Sequence, residues 1–122
     1  TMSRIRALIA VPLGLSAIVL SAFGAQEQME IRADTIVIDV RTPEEYGSGH
    51  LDGAVNIDVN SGVFAEQIAT LDPAGDYVVY CRSGNRSAQA VKIMEGLGFE
   101  EVRDAGGVNA AADATGLEIV TN

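Results

Sequence analysis

Residues 76–98 read DYVVYCRSGNRSAQAVKIMEGLG, and the period of the pattern changes in the middle. Asp76 to Tyr80 holds Tyr77, Val78, Val79 and Tyr80 in succession, as a short strand buried on both faces would. From about Asn85 to Leu97, Ala90, Ile93, Met94 and Leu97 fall at i, i+3, i+4 and i+7. That is the stripe of an amphipathic helix. Gly98 can take the left-handed position that ends it. Between strand and helix lies Cys81-Arg82-Ser83-Gly84-Asn85-Arg86.

Outward from this unit the same alternation repeats. Thr35 to Val40 is a β-branched run with Asp39 its one exception, Ala54 to Ile57 a second short strand, and Glu101 to Asp104 a weaker fourth. Thr42 can cap a helical turn with Pro43 at its first position and Glu44 and Glu45 in the first turn. Val63 to Leu71 places Phe64, Ile68 and Leu71 at helical spacing. Strands alternating with helices across short links predict an α/β fold with a largely parallel sheet.

In such a sheet, ligands bind where strands end and helices begin, which is where the Cys81 loop falls. A loop closing on a helix N-terminus turns backbone N–H groups inward, and the helix dipole adds positive potential. Arg82 and Arg86 supply two full charges, and Gly84 permits tight curvature. Such surroundings lower a cysteine pKa from about 8.5 towards 4–7, making Cys81 the candidate nucleophile. The plain alternative is a small apolar residue buried at a strand end. An unpaired Cys in an exported chain argues against it.

Export is the expectation for the first 25 residues. Arg4 and Arg6 precede an apolar run from Ala7 to Phe23, which ends in Ala22-Phe23-Gly24. A positive start, an apolar centre and a small-x-small exit make up a secretory signal peptide. The alternative is an uncleaved anchor, although the 17-residue run is interrupted by Pro12 and Gly14. Residues 26–122 are then one domain, expected in a periplasm and held at a membrane only if the leader stays.

Composition narrows the partners. Beyond residue 25 the chain carries six basic residues against all 17 acidic ones. This balance excludes the clustered cations that a nucleic-acid binder needs. One Cys and one His exclude a disulfide framework and leave no basis for a zinc site within one chain. No Gly-rich phosphate-binding motif is present, and no cofactor is implied.

Four stretches in order resemble the rhodanese-homology, or sulfurtransferase, family, and together they cover essentially Thr35 to Val120. They are Asp39-Val40-Arg41-Thr42-Pro43-Glu44-Glu45-Tyr46, then Gly49-His50-Leu51-Asp52-Gly53-Ala54-Val55-Asn56-Ile57. Cys81 to Arg86 follows, and Gly96-Leu97-Gly98-Phe99 with Ala105-Gly106-Gly107 closes the set. The chain is most similar to the small, exported, single-domain members. The resemblance implies a three-layer fold with a central parallel sheet and helices on both faces. It also implies a cysteine that takes sulfane sulfur from a small anionic donor such as thiosulfate. Held as a persulfide, that sulfur passes to cyanide or a thiol, including a protein thiol. Carried over, Cys81 is the nucleophile and the amides of Arg82, Ser83, Gly84, Asn85 and Arg86 cradle the persulfide. Arg82 or Arg86 holds the donor.

The resemblance also places His50 in a structural turn. Asp39 and Arg41 are read as a hydrogen-bonded pair that fixes the loop after the first strand. Many family members carry a Trp after the Gly-Gly pair. Here Val108-Asn109-Ala110-Ala111-Ala112 stands there, so the last helix is expected to pack lightly.

Two other functions fit the loop. A phosphatase or arsenate reductase also uses a Cys-loop-Arg cradle, but with five residues between Cys and Arg, whereas Cys81 and Arg86 have four. A non-catalytic sulfur carrier or redox partner module would use the same cysteine, loaded and unloaded by proteins.

Overall fold

A computed structural model describes residues 28–122. The expected leader, residues 1–25, lies outside the described residues. No helix among the described residues is long and apolar enough to cross a membrane.

The elements run β1 (Ile36–Asp39), α1 (Pro43–Ser48), β2 (His50–Leu51), β3 (Val55–Asn56) and α2 (Phe64–Ile68), then β4 (Asp76–Cys81), α3 (Asn85–Gly96), β5 (Glu101–Gly107), α4 (Val108–Thr115) and β6 (Ile119–Val120). Four strands form a parallel sheet in the order β3-β1-β4-β5. β2 and β6 pair antiparallel as a separate ribbon. The two central strands, β1 and β4, carry the apolar runs singled out in the sequence. All six residues of β4 are buried.

The sheet has one core on each face, because successive strand side chains point in opposite directions. On one side Ile38, Val40, Tyr77, Val79 and Cys81 meet Phe64 and Ile68 of α2 and Ala90 and Met94 of α3. On the other, Val37, Val78, Tyr80 and Ala105 meet Leu51 and Ala111, with Tyr46 of α1 packed against them. The architecture is thus the expected α/β arrangement, a central parallel sheet covered by helices on both faces.

Helix α1 begins as predicted. Thr42 accepts from the Glu45 N–H, and the Glu45 carboxylate accepts from the Thr42 N–H, a reciprocal capping box with Pro43 at the first position. In α3 the expected stripe needs one correction. The helix ends at Gly96, so Leu97 falls outside it and is exposed, while Phe99 takes the core position. Gly98 adopts φ +95 as expected, which lets the Phe99 N–H reach the Met94 carbonyl at 3.1 Å. The Phe99 ring then meets Tyr77 edge-on, 5.3 Å between centroids.

The fourth strand extends further than the sequence pattern indicates. β5 continues through Gly106 and Gly107, with a register shift opposite Val79 and Tyr80 that aligns Cys81 with Gly107. Helix α4 fully buries only Ala111, in keeping with the light packing expected of a segment without an aromatic residue.

Candidate active site

Cys81 is the last residue of β4 and is completely buried. The chain then turns through residues 82–84, and α3 starts at Asn85. Gly84 caps that helix in the left-handed region at φ +107, a conformation that a side chain would strain. This turn brings the Gly84 N–H to 2.9 Å from Cys81 Sγ. The sulfur therefore sits at the N-terminus of a 12-residue helix, where unpaired amides and the dipole favour negative charge.

Burial pushes the Cys81 thiol up. The Ser87 hydroxyl and the Ser87, Gly84 and Ser83 amides outweigh it, and the thiol ends below its ordinary value. Of the residues expected in the cradle, Ser83 and Gly84 thus act through their backbones. Asn85 opens α3 with its side chain exposed.

The two loop arginines differ. Arg86 directs both terminal nitrogens onto Glu45, Nη1 to Oε1 at 2.8 Å and Nη2 to Oε2 at 2.9 Å. Its fork is therefore engaged by protein rather than open to a donor. Arg82 is exposed and makes no ion pair among the described residues.

The Arg86 hydrogen bonds are the main reason the Glu45 carboxyl is lowered to about 2, with burial opposing and Thr42 assisting. Reciprocally, Glu45 raises Arg86.

Ser87 lies one residue past the stretch that the sequence marks as the cradle, yet its hydroxyl is 3.5 Å from Sγ and 3.1 Å from the Gly84 carbonyl oxygen. A polar residue in the first turn of a helix normally faces water, so only its complete burial marks it. In the sequence Glu45 stands out as a first-turn acid alone. Its partner lies 41 positions away, beyond any local pattern.

A second feature that local spacing does not show is the floor of the loop. A Cβ on Gly107 would lie 2.5 Å from the Arg82 carbonyl oxygen and 3.3 Å from Ser83 Cα. The turn after Cys81 therefore rests directly on the backbone of β5. The Gly-Gly pair is visible in the sequence, but its contact depends on the β5 register.

Around the site, Asp39 and Arg41 form the expected pair. Arg41 Nε and Nη2 donate to the carboxylate, the shortest contact being 2.6 Å, and Nη2 also reaches the Gly49 carbonyl at 2.6 Å. Both residues are buried. The Asn56 amide closes the arrangement by donating to the Asp39 and Arg41 carbonyls at 3.0 and 2.9 Å. His50 is buried in β2, where Nδ1 donates to the Tyr46 carbonyl at 2.8 Å and the ring stacks on Tyr46, 3.7 Å between centroids. It braces α1 against the β2–β6 ribbon.

Known proteins are similar to this chain. A family model described as a rhodanese-like domain matches residues 24–113. Thiosulfate sulfurtransferase PspE of Escherichia coli (strain K12) is 43% identical over 77 residues, 62% of this chain and 72% of that protein. Thiosulfate sulfurtransferase GlpE of Pseudomonas entomophila (strain L48) is 33% identical over 78 residues, 63% of this chain and 70% of that protein. A solved structure described as rhodanese with anions from E. coli superposes with a TM-score of 0.63 at 36% identity, covering 72% of this chain and 99% of that one. With the parallel sheet, the strand-to-helix cysteine loop and these similarities together, the chain belongs to the rhodanese-like domain family of sulfurtransferases.

Proposed function

We propose that the protein is a thiosulfate sulfurtransferase working through a persulfide on Cys81. The observation that carries this reading is the sulfur's position at the start of α3, held by the Gly84 N–H at 2.9 Å. The thiolate attacks the sulfane sulfur of thiosulfate. A Cys81 S–S bond forms, the sulfane–sulfonate S–S bond breaks, and sulfite leaves with the bonding electron pair. The terminal sulfur is then anionic, and the same amides and helix N-terminus hold its charge. Cyanide or a thiolate attacks that outer sulfur, and the Cys81 thiolate departs as the leaving group. No second cysteine in the chain can intercept the persulfide.

Arg82 is the cation that receives the sulfonate end of the donor, since Arg86 is engaged by Glu45. A protein thiol fits the same acceptor role as a small one. Mass spectrometry tests the reading. Wild-type protein treated with thiosulfate should gain one sulfur atom per chain, and cyanide should remove it as thiocyanate. Cys81→Ser should do neither. A wild type that never gains sulfur overturns the assignment, and one that loads but does not turn over is a carrier.

We also propose that the domain works outside the cytoplasm after its leader is removed near Gly24. Intact mass of protein recovered from an exporting host should lack the residues up to that point. Full-length recovery confined to membranes would identify an anchor instead.

A further inference from the structure

We propose that Ser87 is a further catalytic residue, whose hydroxyl turns from the Gly84 carbonyl to the Cys81 sulfur when the thiol loses its proton. The inference rests on the sulfurtransferase reading for its purpose, but its geometry stands apart from any donor. Ser87 is wholly buried, so its hydroxyl must find partners within the protein. It has two. Cys81 Sγ lies 3.5 Å away and is placed to donate its thiol hydrogen to Ser87 Oγ. The Ser87 hydroxyl in turn donates to the Gly84 carbonyl at 3.1 Å. In the thiol state the chain of donation therefore runs Cys81 to Ser87 to Gly84.

Ionisation removes the first hydrogen and leaves a thiolate, which only accepts. A hydroxyl is both donor and acceptor and rotates about its own bond, so Ser87 can reverse direction and donate to the sulfur. The move leaves nothing unsatisfied, because the Gly84 carbonyl also accepts from the Ala88 N–H at 3.2 Å. The Ser87 N–H belongs to the first turn of α3, where amides lack partners inside the helix. The Ser87 hydroxyl thus becomes a donor to the thiolate, beside the Gly84 N–H at 2.9 Å. The depressed Cys81 thiol is consistent with this set. The charged groups about the loop are Arg82, Arg86 with its partner Glu45, and Asp58 near Arg86, and a change at Ser87 leaves all of them in place.

The test compares wild type with Ser87→Ala and Ser87→Thr. Thiolate absorbance near the ultraviolet edge reports the Cys81 titration without any sulfur donor. Loss of one hydrogen bond to a charged sulfur should raise the midpoint in Ser87→Ala by about one pH unit. Ser87→Thr, which keeps the hydroxyl, should titrate with the wild type. Below the wild-type midpoint, kcat/KM for thiosulfate should fall about tenfold in Ser87→Ala. It should recover as the pH passes the variant's own midpoint, a recovery that a purely structural defect would not show. Infrared spectroscopy adds a reading on the wild type alone. At low pH its S–H stretch should sit at the lowered frequency of a donating thiol, and it should rise in Ser87→Ala. An unchanged midpoint in Ser87→Ala, or a free S–H band in the wild type, overturns the proposal. A wild type that shows both signatures but releases no thiocyanate overturns the sulfurtransferase reading and leaves the role of Ser87 standing.

Discussion

Arg86 and Glu45 are joined by two parallel hydrogen bonds of 2.8 and 2.9 Å, so the first turn of α3 is pinned to the first turn of α1. The same carboxylate accepts from the Thr42 N–H at 3.0 Å. One side chain therefore caps its own helix and anchors the helix that follows the reactive cysteine. This pairing separates the two loop arginines. Arg82→Ala should raise KM for thiosulfate by about tenfold, since a charge-assisted contact contributes about 1.5 kcal/mol. Arg86→Ala should raise KM less and chiefly lower the melting temperature. Donor kinetics for the two variants, measured side by side, check the order.

A double-mutant cycle isolates the pair. Both side chains are about a quarter exposed, so solvent screens them and the coupling should be about 1 kcal/mol or less. Glu45→Gln with Arg86→Ala should therefore cost less stability than the two single changes added. Denaturant midpoints at constant slope supply the numbers.

Acid stability follows from the same carboxylate. Glu45 is held at about 2 against an ordinary 4.5, so the folded state binds its proton less readily than the unfolded state. Its contribution is complete above about pH 4.5 and is lost as pH falls through about 2. Wild type should lose stability between those values, and Glu45→Gln should show a flatter profile there. Thermal melts across that window measure the difference.

Gly107→Ala should damage the reaction more than the fold. The added carbon would meet the Arg82 carbonyl oxygen at 2.5 Å, and backbone on both sides leaves no flexible group to give way. The loop must shift, taking the Gly84 N–H away from Sγ. We expect kcat/KM to fall by about a hundredfold, the scale that misplacement by about 1 Å produces, with a raised thiol midpoint. A variant with wild-type kinetics would show that the loop tolerates displacement.

The buried Asp39–Arg41 pair predicts an asymmetry. Asp39→Ala leaves the Arg41 guanidinium buried without its carboxylate and should destabilise by about 3–5 kcal/mol. Replacing both residues with apolar ones should cost less than that single change. Unfolding free energies of the single and double variants decide it.

The parts legible in the sequence are those whose pattern is local. The β4 run, the period change after Cys81 and the Thr42–Glu45 cap each lie within a few residues, so elementary spacing rules find them. The β2–β6 ribbon is not legible, because its strands have two residues each and display no alternation. Leu97 fits the helical stripe, yet the helix stops one residue earlier, and Phe99 reaches the core through the turn at Gly98. Arg86 has the look of an anion receptor because nothing near it in the chain shows the carboxylate that occupies it. Ser87 is hidden for the opposite reason, since polar residues are ordinary at helix starts and burial is a tertiary fact.

The complete burial of Cys81 has a kinetic consequence. The turn through residues 82–84 and the first turn of α3 crowd the sulfur, so a bulky reagent should meet it more slowly than a small one. Attaching a sulfur changes the geometry, because an S–S bond carries the outer atom about 2 Å beyond Sγ. Unloaded, the thiol is shielded from stray oxidants and from other thiols; loaded, it holds its cargo nearer to the threshold.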